Sequence, residues 1–517
     1  MNLGYVLRRS CEIYTENVAI ISGDERTTFH EVGKRTNRLV NGLFDLGLRK
    51  GDRVGILLKN CREALEVYLA LIKGGLVRVP INVRLSPREV AYILRDSGAK
   101  GLIFSRDAFP VVEKIKEELP KLTLFVCIGG GEEYARYEEV VAGGSSGEPG
   151  IQTDADDLVD IRYTSGTTGH PKGALMTHRR FLSFISKMFM NPITVPTSAD
   201  VMLHIAPLTA ASNNMIMLHF IKGAANAVPM GSEIPLIFQT IEKIRATATL
   251  VVPTLLNILL NHPDIDRYDL SSLHSIYYGS SPMPQELIRK ALRKFGPIFT
   301  QYYGMGEVAP ASILFSWEHK IDGTPQEMRR MSSAGKPGYM VDLRIVNERG
   351  EDVKPGEIGE IIHRGEHVFK GYWQNPGATA EAFKDGWFYS GDMATFDEDG
   401  YIYFMDRKKD MIISGGYNIY PSEVENVLHQ HPAVFEAVVV AVPDDKWGEA
   451  VQAVVVLKQG KEATGEEIIA FCKDRLSRFK APKYVGFIDV LPKNPAGKIL
   501  RKEVREKYWK GQMRRVN

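Results

Sequence analysis

Apolar and polar stretches alternate along the first part of the chain in a pattern that predicts strands and helices in turn. Short apolar runs at 53–58, 76–81 and 102–104 are typical of buried strands. Residues 62–73 place apolar side chains at helical spacing, and Ser-Pro-Arg-Glu at 86–89 is a helix start with a serine cap. Strands that alternate with helices in this way predict a parallel, doubly wound α/β sheet.

The end of the chain has a different pattern, in which strands are not regularly separated by helices. Apolar runs at 437–442, 451–457 and 484–490 predict strands. A capping box at 464–467 opens a helix that we expect to end near Ser477. This arrangement predicts a small α+β domain.

The length of the chain sets the domain organisation. A chain of 517 residues is too long for a single hydrophobic core. We therefore predict a large N-terminal α/β domain with doubly wound sheets at residues 1–406. The small C-terminal α+β domain, about 100 residues long and thus of ordinary domain size, is predicted at residues 407–517.

The most distinctive stretch of the chain is 163–173, which reads YTSGTTGHPKG. Its hydroxyls and glycines suit the phosphates of a nucleotide, because hydroxyls and exposed backbone N–H groups donate hydrogen bonds to phosphate oxygens. Apolar residues at 158–161 and 181–190 predict a strand before this loop and a helix after it. The stretch is not a Walker A loop, since Pro171 stands where that motif needs glycine. A flexible linker is the alternative.

Composition excludes few function classes. The net charge of +2 gives no reason to expect nucleic acid as a partner. No apolar run has the length of a membrane-spanning helix, and residues 1–9 lack the apolar region of a signal peptide. The four cysteines lie far apart without zinc spacing, which favours free thiols and a cytoplasmic location. A peripheral membrane contact and a homodimer are left open.

Five further segments combine glycine or proline with hydroxyl, acidic or basic residues, and they are 278–284 (YGSSPMP), 301–307 (QYYGMGE), 386–392 (GWFYSGD), 414–421 (SGGYNIYP) and 491–501 (LPKNPAGKILR). Together with 163–173 they resemble, in the same order, the motifs of the adenylate-forming superfamily: acyl-CoA synthetases, aryl-CoA ligases, peptide-synthetase adenylation domains and firefly-type luciferases. The pattern YTSGTTGxPKG is matched with only His170 at the variable position. The patterns YGxTE and PxxxxGKxxR are also matched, except that Gly306 replaces the usual threonine.

The resemblance implies an ATP site built from these motifs. In this site Lys498 drives adenylation, Glu307 holds Mg²⁺ against the phosphates, and Thr164 also takes part in catalysis. An acidic residue after a turn suits the ribose hydroxyls, and the match gives this role to Asp392. The residues implied to bind ATP or AMP are Thr164, Ser165, Gly166, Thr167, Thr168, Gly169, Lys172, Gly279, Ser280, Ser281, Pro282, Tyr303, Gly304, Glu307, Asp392, Arg407 and Lys498.

The segment 204–212 resembles the start of the family's acid pocket. Peptide-synthetase domains place an aspartate near position 210 to pair with an amino group, and Ala210 cannot do so, which disfavours an amino-acid substrate. The small residues here suit an apolar acyl chain or a ring, while core packing is the alternative. The residues implied to line the acid pocket are Pro207, Thr209, Ala210, Ala211, Ser212, Gly279 and Met305.

Ser414, Gly415 and Gly416 resemble the segment along which the pantetheine arm of CoA passes, and two glycines allow a thin chain to run close to the backbone. Lys409 stands at the family's hinge position. Lys498 and the glycine segment serve different half-reactions from opposite flanks of the C-terminal domain. We therefore expect this domain to rotate about Lys409 between the two steps.

The resemblance implies an AMP-forming acyl-CoA synthetase that uses ATP, Mg²⁺ and CoA. The expected acid is a medium- or long-chain fatty acid. The alternatives are an aryl-CoA ligase, a fatty-acyl-AMP ligase that loads a carrier protein, and an inactive nucleotide-binding regulator. Retention of Glu307, Asp392 and Lys498 disfavours the regulator, because a protein that only binds a nucleotide does not need Lys498.

Overall fold

The structure is a computed structural model that describes residues 2–130, 133–164, 171–190, 195–494 and 497–509. Within these residues the helices are α1 (Leu3–Ile13), α2 (Phe29–Asp45), α3 (Arg62–Lys73), α4 (Pro87–Ser97), α5 (Phe109–Ile115), α6 (Tyr137–Gly143), α7 (His178–Phe189), α8 (Ser212–Phe220), α9 (Ile234–Ile244), α10 (Pro253–Asn261), α11 (Gln285–Phe295), α12 (Pro325–Arg330), α13 (Pro376–Ala382), α14 (Pro421–Leu428), α15 (Gly465–Lys473) and α16 (Arg501–Glu506).

The strands of the same residues are β1 (Val18–Ser22), β2 (Glu25–Thr28), β3 (Arg53–Leu57), β4 (Val77–Pro80), β5 (Gly101–Ser105), β6 (Leu124–Ile128), β7 (Ala135–Arg136), β8 (Leu158–Thr164), β9 (Lys172–Thr177), β10 (Val201–Leu203), β11 (Ala225–Val228), β12 (Ala248–Val251), β13 (Ser275–Gly279), β14 (Phe299–Tyr303), β15 (Ser312–Leu314), β16 (Lys336–Pro337), β17 (Asp342–Val346), β18 (Gly359–Arg364), β19 (Phe383–Lys384), β20 (Trp387–Phe396), β21 (Ile402–Arg407), β22 (Ile412–Ser414), β23 (Tyr417–Ile419), β24 (Val434–Asp444), β25 (Gly448–Leu457) and β26 (Tyr484–Phe487).

The predicted parallel sheet is present, and its described strands lie in the order β7-β6-β5-β3-β4-β8-β9. Neighbouring strands of this set run parallel, apart from the antiparallel pair β8 and β9. The helix predicted at 62–73 is α3 with the same bounds. Ser86 and Glu89 each accept a hydrogen bond from the other's backbone N–H, which forms the expected capping box of α4. These elements confirm the doubly wound α/β prediction.

A second sheet has the described order β16-β15-β14-β13-β12-β10-β11-β1-β2 and is parallel at its centre and antiparallel at both ends. One apolar core joins the two sheets and includes buried side chains of α2, α3, α7 and α8. Ligands of parallel α/β sheets bind beyond the carboxyl ends of the strands. The ends of β13 and β14 therefore bring two of the predicted motifs, Gly279–Pro282 and Tyr303–Glu307, to the edge where a ligand is expected.

The structure corrects the prediction of a strand, a loop and then a helix around 163–173. A second strand, β9, follows the loop and pairs antiparallel with β8, so that Tyr163 lies opposite Gly173. A Cβ atom at Gly173 would approach Ile161 Cγ2 to 2.7 Å, which explains why glycine occupies the hairpin at this point. The following helix, α7, begins at His178 rather than at 181. Strand β9 has only three consecutive apolar residues, Ala174–Met176, which is too short a run to predict a strand by itself.

Two smaller sheets complete the described architecture. One is antiparallel with the order β17-β18-β20-β19 and with β21 on β20, and the other has the order β23-β22-β25-β24 with β26 parallel to β25. The sheet that contains β22 to β26, together with helices α14, α15 and α16, forms the predicted C-terminal α+β domain. Helix α15 ends at Lys473, not near Ser477, because the chain tightens into a turn in which Arg475 N–H donates to Cys472 O. The domain boundary between 406 and 407 stays a prediction.

In the described ranges, no helix combines the length and the apolar character that a membrane crossing requires.

Candidate active site

Glu307 lies at the centre of a hydrogen-bonded cluster beyond the end of β14. The hydroxyls of Thr164 and Tyr372 both donate to its Oε1, each over 3.1 Å. Lys172, also predicted to bind the nucleotide, places its ammonium 5.2 Å from the centre of the Tyr372 ring. The Glu307 side chain is buried except for about a tenth of its surface (9 % exposed). The structure thus brings Thr164, Lys172 and Glu307 together, as the motifs predict.

The backbone around Glu307 is held from two sides. Phe369 N–H donates to the Glu307 carbonyl over 2.7 Å, which joins the loop to the segment after β18. From helix α7, Arg180 donates to the Gly306 carbonyl over 3.1 Å, and Lys187 donates to the Pro310 carbonyl over 2.8 Å. These two side chains lie two helical turns apart on one face of α7. They fix the loop on both sides of Glu307.

A second cluster forms around Asp392 on β20. Tyr303 donates to its Oδ2 over 2.7 Å, and Arg407 of the neighbouring strand β21 lies 2.6 Å from its Oδ1. Burial raises the pKa of Asp392, while the charge of Arg407 and the hydrogen bond from Tyr303 oppose that shift. Tyr303 is the last residue of β14, four residues before Glu307, so its hydrogen bond to Asp392 joins the two clusters.

Lys498 reaches this site from the C-terminal domain. Its loop is closed by backbone and side-chain bonds: Asn494 N–H donates to the Lys498 carbonyl over 2.7 Å, and Lys498 N–H donates to Asn494 Oδ1 over 2.8 Å. Although the residue as a whole is exposed, its ammonium is surrounded by protein, which lowers its pKa. The charge of Arg407 lowers this pKa further, and that of Asp392 raises it. The Lys498 ammonium therefore lies within the electrostatic field of the Asp392 cluster.

Helix α16 forms ion pairs both with the strand that enters the C-terminal domain and with other parts of that domain. Arg501 of α16 pairs with Asp406 at the end of β21 over 2.7 Å and with Glu425 of α14 over the same distance. Arg505 pairs with Asp410 over 2.9 Å. These contacts hold helix α16, and the Lys498 loop before it, in the present orientation.

The predicted CoA segment lies elsewhere on the C-terminal domain. Gly415 and Gly416 form an exposed turn between β22 and β23. Gly415 packs on Trp447, since a Cβ atom there would lie 2.6 Å from the indole, and Tyr417 packs on Phe479 with 4.7 Å between ring centres. These partners all belong to the C-terminal domain. The structure places Lys498 at the Asp392 cluster and leaves the glycine turn on an exposed surface.

Side chains from helix α3 and from the loop before it hold the predicted acid-pocket segment in place. Asn60 donates to the carbonyls of His204 and Ala206, and Tyr68 donates to the carbonyl of Leu208 over 3.0 Å. The half-buried residues of the segment are Pro207, Thr209, Ala210 and Ala211. Ser212 is fully buried, with its hydroxyl 2.9 Å from His204 Nδ1. Met305 is half-buried beside the Glu307 loop.

The turn after β13 contains the remaining predicted nucleotide residues. Gly279 pairs with Tyr302 of β14, and a Cβ atom at Gly279 would lie 2.3 Å from the Tyr302 carbonyl. Ser280 has φ of 70° and is exposed, and it is followed by Ser281 and Pro282. Gly304 is required by close packing, since a Cβ atom would lie 2.9 Å from Val308 O. The predictions for Ser165, Gly166, Thr167, Thr168 and Gly169 lie outside the described residues.

Two residues of the site were not predicted. Tyr372 lies in the segment Gly371-Tyr372-Trp373, which also fits the superfamily pattern, and that fit could have pointed to it. Arg180 follows Thr177, the N-cap of α7, and no pattern along the chain marks it as a neighbour of Gly306.

The structure explains the glycine at 306, where the usual threonine is absent. A Cβ atom at Gly306 would lie 2.3 Å from Thr164 Cγ2. We expect Gly306→Ala to lower the free energy of unfolding by about 1–3 kcal/mol, the usual cost of overpacking. Thr164→Ser in the same chain removes Cγ2, keeps the hydroxyl and should recover most of the loss. Urea unfolding of both variants checks this. The explanation is contradicted if Gly306→Ala is as stable as the parent protein. It is also contradicted if the double variant is no more stable than Gly306→Ala.

Lys187 should give protein stability a distinctive pH dependence. Burial, aided by the charge of Arg180, lowers its pKa from 10.5 to about 7. Between these values the unfolded chain binds more protons than the folded one, so this group makes the free energy of unfolding rise with pH, by on the order of 1.4 kcal/mol per unit at most. Lys187→Met should flatten the slope between pH 7 and 9 in urea unfolding, while Lys114→Met, at an exposed lysine, should not. An unchanged slope in Lys187→Met contradicts the expectation.

Comparison with known proteins places these features in one family. The model of the AMP-binding enzyme family matches residues 7–373, and the model of the AMP-binding enzyme C-terminal domain matches residues 423–498. The Glu307 cluster, with Thr164, Lys172 and Tyr372, lies in the first match, and Lys498 is the last residue of the second.

Relatives and solved structures agree with these matches. The chain is 38% identical over 497 residues to a feruloyl-CoA synthase of Amycolatopsis sp., covering 95% of this chain and 96% of the relative. It is 34% identical over 517 residues to the long-chain-fatty-acid–CoA ligase FadD13 of Mycobacterium tuberculosis, with 98% of each covered. The solved anthranilate CoA ligase AuaEII, in complex with anthranoyl-AMP, superposes with a TM-score of 0.90 at 28% identity, covering 98% of this chain and 97% of that one.

Proposed function

Because this chain belongs to the AMP-binding enzyme family, we propose that it is an AMP-forming ligase that joins a carboxylic acid to the thiol of CoA. The acid would first displace pyrophosphate from ATP and form an acyl adenylate. The thiol of CoA would then attack the acyl carbon and release AMP.

One observation carries the proposal: the ammonium of Lys498, from the C-terminal domain, is enclosed by protein within the field of Asp392 and Arg407, which pair with each other over 2.6 Å. A nucleotide with its ribose on Asp392 and its phosphates towards Glu307 would meet the Lys498 ammonium where negative charge develops. Preorganised charge of this kind is usually the largest contribution to catalysis. The proposed reaction forms no covalent bond to a side chain of the protein, since positioning and charge suffice.

The oxygen atoms of the Glu307 cluster fit a magnesium ion. Mg²⁺ prefers oxygen ligands and usually binds through one or two carboxylates together with substrate phosphates. Both hydroxyl donors of the cluster bond to Glu307 Oε1, so its Oε2 has no hydrogen-bond donor among the described residues. Glu307 would hold the ion, which supplies positive charge to the phosphates when bound. Thr164 and Tyr372 would hold the Glu307 carboxylate in its orientation.

The surface around the glycine turn supports CoA as the acceptor. Trp447, Tyr417 and Phe479 are exposed there, and the ammonium groups of Lys446 and Lys480 lie 4.7 and 6.0 Å from the ring centres of Trp447 and Phe479. Exposed aromatic rings with nearby cations suit an adenine nucleotide that carries phosphates. The glycine turn itself would admit the narrow pantetheine arm.

The pocket segment and the relatives both bear on the class of acid. Ala210 offers no carboxylate to an amino group, so an amino-acid substrate is disfavoured. The relatives named above include ligases of an aromatic acid and of long-chain fatty acids, so both the expected fatty acid and the aryl alternative remain open on this comparison.

Pyrophosphate release tests the proposal. The protein is incubated with ATP and Mg²⁺ and a panel of fatty, aryl and amino acids, each with and without CoA. We expect release that depends on one acid class and continues over many turnovers only with CoA. Release limited to about one turnover despite CoA would instead indicate a carrier protein as acceptor. No release with any acid, from folded protein that still binds ATP, would favour the nucleotide-binding regulator.

A further inference from the structure

Asp406 is held by the N-terminal domain through its backbone and by the C-terminal domain through its side chain. Its strand, β21, pairs with β20, so that Asp406 lies opposite Met393 in the antiparallel sheet. The residue is buried, with 2 % of its surface exposed, and its carboxylate accepts hydrogen bonds from helices α14 and α16. A residue placed in this way can fix the orientation of the two domains relative to each other.

Both oxygens of the Asp406 carboxylate are engaged by the C-terminal domain. Arg501 of α16 donates to Oδ1 over 2.7 Å, and the N–H of Ser422, in the first turn of α14, donates to Oδ2 over 3.1 Å. The N–H of Arg407 also donates to Oδ1, over 2.8 Å. In addition, the Ser422 hydroxyl donates to the carbonyl of Met405, the residue before Asp406. Three hydrogen bonds therefore cross from the end of β21 to two helices of the C-terminal domain.

These bonds act on Lys498 through helix α16. Arg501 is the first residue of α16 and lies three residues after Lys498. Leu500, just before the helix, donates its N–H to the Pro492 carbonyl over 2.8 Å and so closes the base of the lysine loop. When Asp406 holds Arg501, it therefore also fixes the direction from which Lys498 enters the site.

A second carboxylate binds the same guanidinium from within the C-terminal domain. Arg501 donates to both oxygens of Glu425 on α14, over 2.7 and 2.9 Å. Glu425 also accepts a hydrogen bond from the N–H of Val439 on β24 over 2.8 Å, so it belongs to the C-terminal sheet. A rotation about Lys409 would carry Arg501 and Glu425 together but leave Asp406 on β21. The bond to Asp406 therefore distinguishes between the two orientations, and the bond to Glu425 does not.

The pair of Asp406 and Arg501 favours one orientation without making it permanent. Burial raises the pKa of Asp406 to about 6 against the opposing charge of Arg501, and the nearby charges of Glu425 and Asp410 add to this rise. A carboxylate in this position has lost much of its hydration, which offsets a large part of its attraction to the guanidinium. After a rotation the carboxylate would regain water, and Arg501 would keep Glu425 as its partner.

From these contacts we infer that Asp406 is a positioning residue for adenylation: its carboxylate holds the C-terminal domain in the orientation that brings Lys498 to the site. Release of its bonds to Arg501 and Ser422 would then free the domain for the thioester step. The inference rests on the proposed ligase function and adds to it a residue that sets the balance between the two half-reactions. Asp406 acts through Lys498 rather than on the substrates.

Asp406→Asn tests the inference, because an amide has one acceptor oxygen and cannot serve Arg501 and Ser422 at once. Adenylation is measured as exchange of labelled pyrophosphate into ATP, with the acid of the panel that supports pyrophosphate release. Thioester formation is measured in a single turnover from CoA and the supplied adenylate of that acid. We expect the ratio of thioester formation to adenylation to rise roughly 10-fold, the value of one hydrogen bond to a charged group, as the population of orientations shifts. A purely structural role would lower both rates together and leave their ratio unchanged.

Ser422→Ala is a second variant, which tests the inference should Asp406→Asn fold poorly. It removes the hydroxyl that donates to the Met405 carbonyl and leaves the Asp406 carboxylate in place. The ratio of thioester formation to adenylation should rise roughly 3-fold, in keeping with the loss of one neutral hydrogen bond between the domains.

Glu425→Gln is the matched control. It weakens the hold on the same guanidinium, but from within the C-terminal domain, so it should keep the ratio of the parent. A ratio that rises in neither Asp406→Asn nor Ser422→Ala, or that rises as much in Glu425→Gln, would overturn the inference and leave the ligase function intact. No pyrophosphate release with any acid would overturn both.

Discussion

Replacing Lys498 by alanine is expected to slow acyl-adenylate formation by roughly 10²–10³-fold, the usual cost of removing one preorganised charge from an active site. Lys498 lies beside Asp392 and Arg407, where the α-phosphate of a bound nucleotide would develop negative charge. The second half-reaction does not use this charge in the proposed mechanism. Thioester formation from acyl adenylate supplied directly should therefore proceed at nearly the parental rate.

Two assays separate the half-reactions. Exchange of labelled pyrophosphate into ATP, in the presence of the preferred acid, reports adenylation. Formation of the CoA thioester from a supplied adenylate reports the second step. Lys502→Ala is a suitable control, because Lys502 is an exposed lysine on α16, four residues away. Equal loss of both activities in Lys498→Ala, or loss of adenylation in Lys502→Ala as well, would show that Lys498 does not have the proposed role.

The sequence predicted those parts of the fold that depend on local patterns. Helix α3 has its predicted bounds because its apolar spacing and the Gly74-Gly75 pair after it are both local features. The hairpin of β8 and β9 was missed, since β9 contains only three consecutive apolar residues, Ala174–Met176, and polar residues on both sides of them. The pairing with β8, which depends on residues across the loop, is what makes this short segment a strand.

The candidate site was predictable where a motif carries the chemistry. The motifs predict Glu307, Asp392 and Lys498 as site residues, and their roles stay predictions. The structure joins the Glu307 and Asp392 clusters through Tyr303 and puts the Lys498 ammonium in the field of Asp392. Arg180 was not found, because its contact with Gly306 spans 126 residues of sequence. The replacement of threonine by glycine at 306 had no explanation in the sequence either. The need for glycine at 306 comes from Thr164, whose methyl group occupies the space beside it. Thr164 lies 143 residues from Glu307, the residue next to Gly306, so the sequence does not show that they are close.

The orientation of the C-terminal domain raises the question of how the second half-reaction takes place. The structure has Lys498 at the nucleotide residues and the Gly415-Gly416 turn on an exposed surface. Both segments belong to one domain. CoA could reach the acyl carbon along the glycine turn only after this domain had turned and broken ion pairs such as Arg501–Asp406. A rotation about Lys409, in the short turn Lys408–Asp410 after β21, would exchange the two segments.

Lys409→Pro should therefore divide the two half-reactions. Proline fixes φ near −65° and so blocks the dihedral change that a hinge requires. Because Lys498 is already in place, we expect adenylation to remain near the parental rate. Thioester formation should fall by roughly 10²-fold, a loss typical of misplaced reacting groups. Pyrophosphate exchange and thioester formation from supplied adenylate measure the two rates. Lys409→Ala removes the side chain but keeps the backbone freedom, so it should retain both activities. Equal loss of both activities in Lys409→Pro, or loss of neither, would exclude a hinge at this residue.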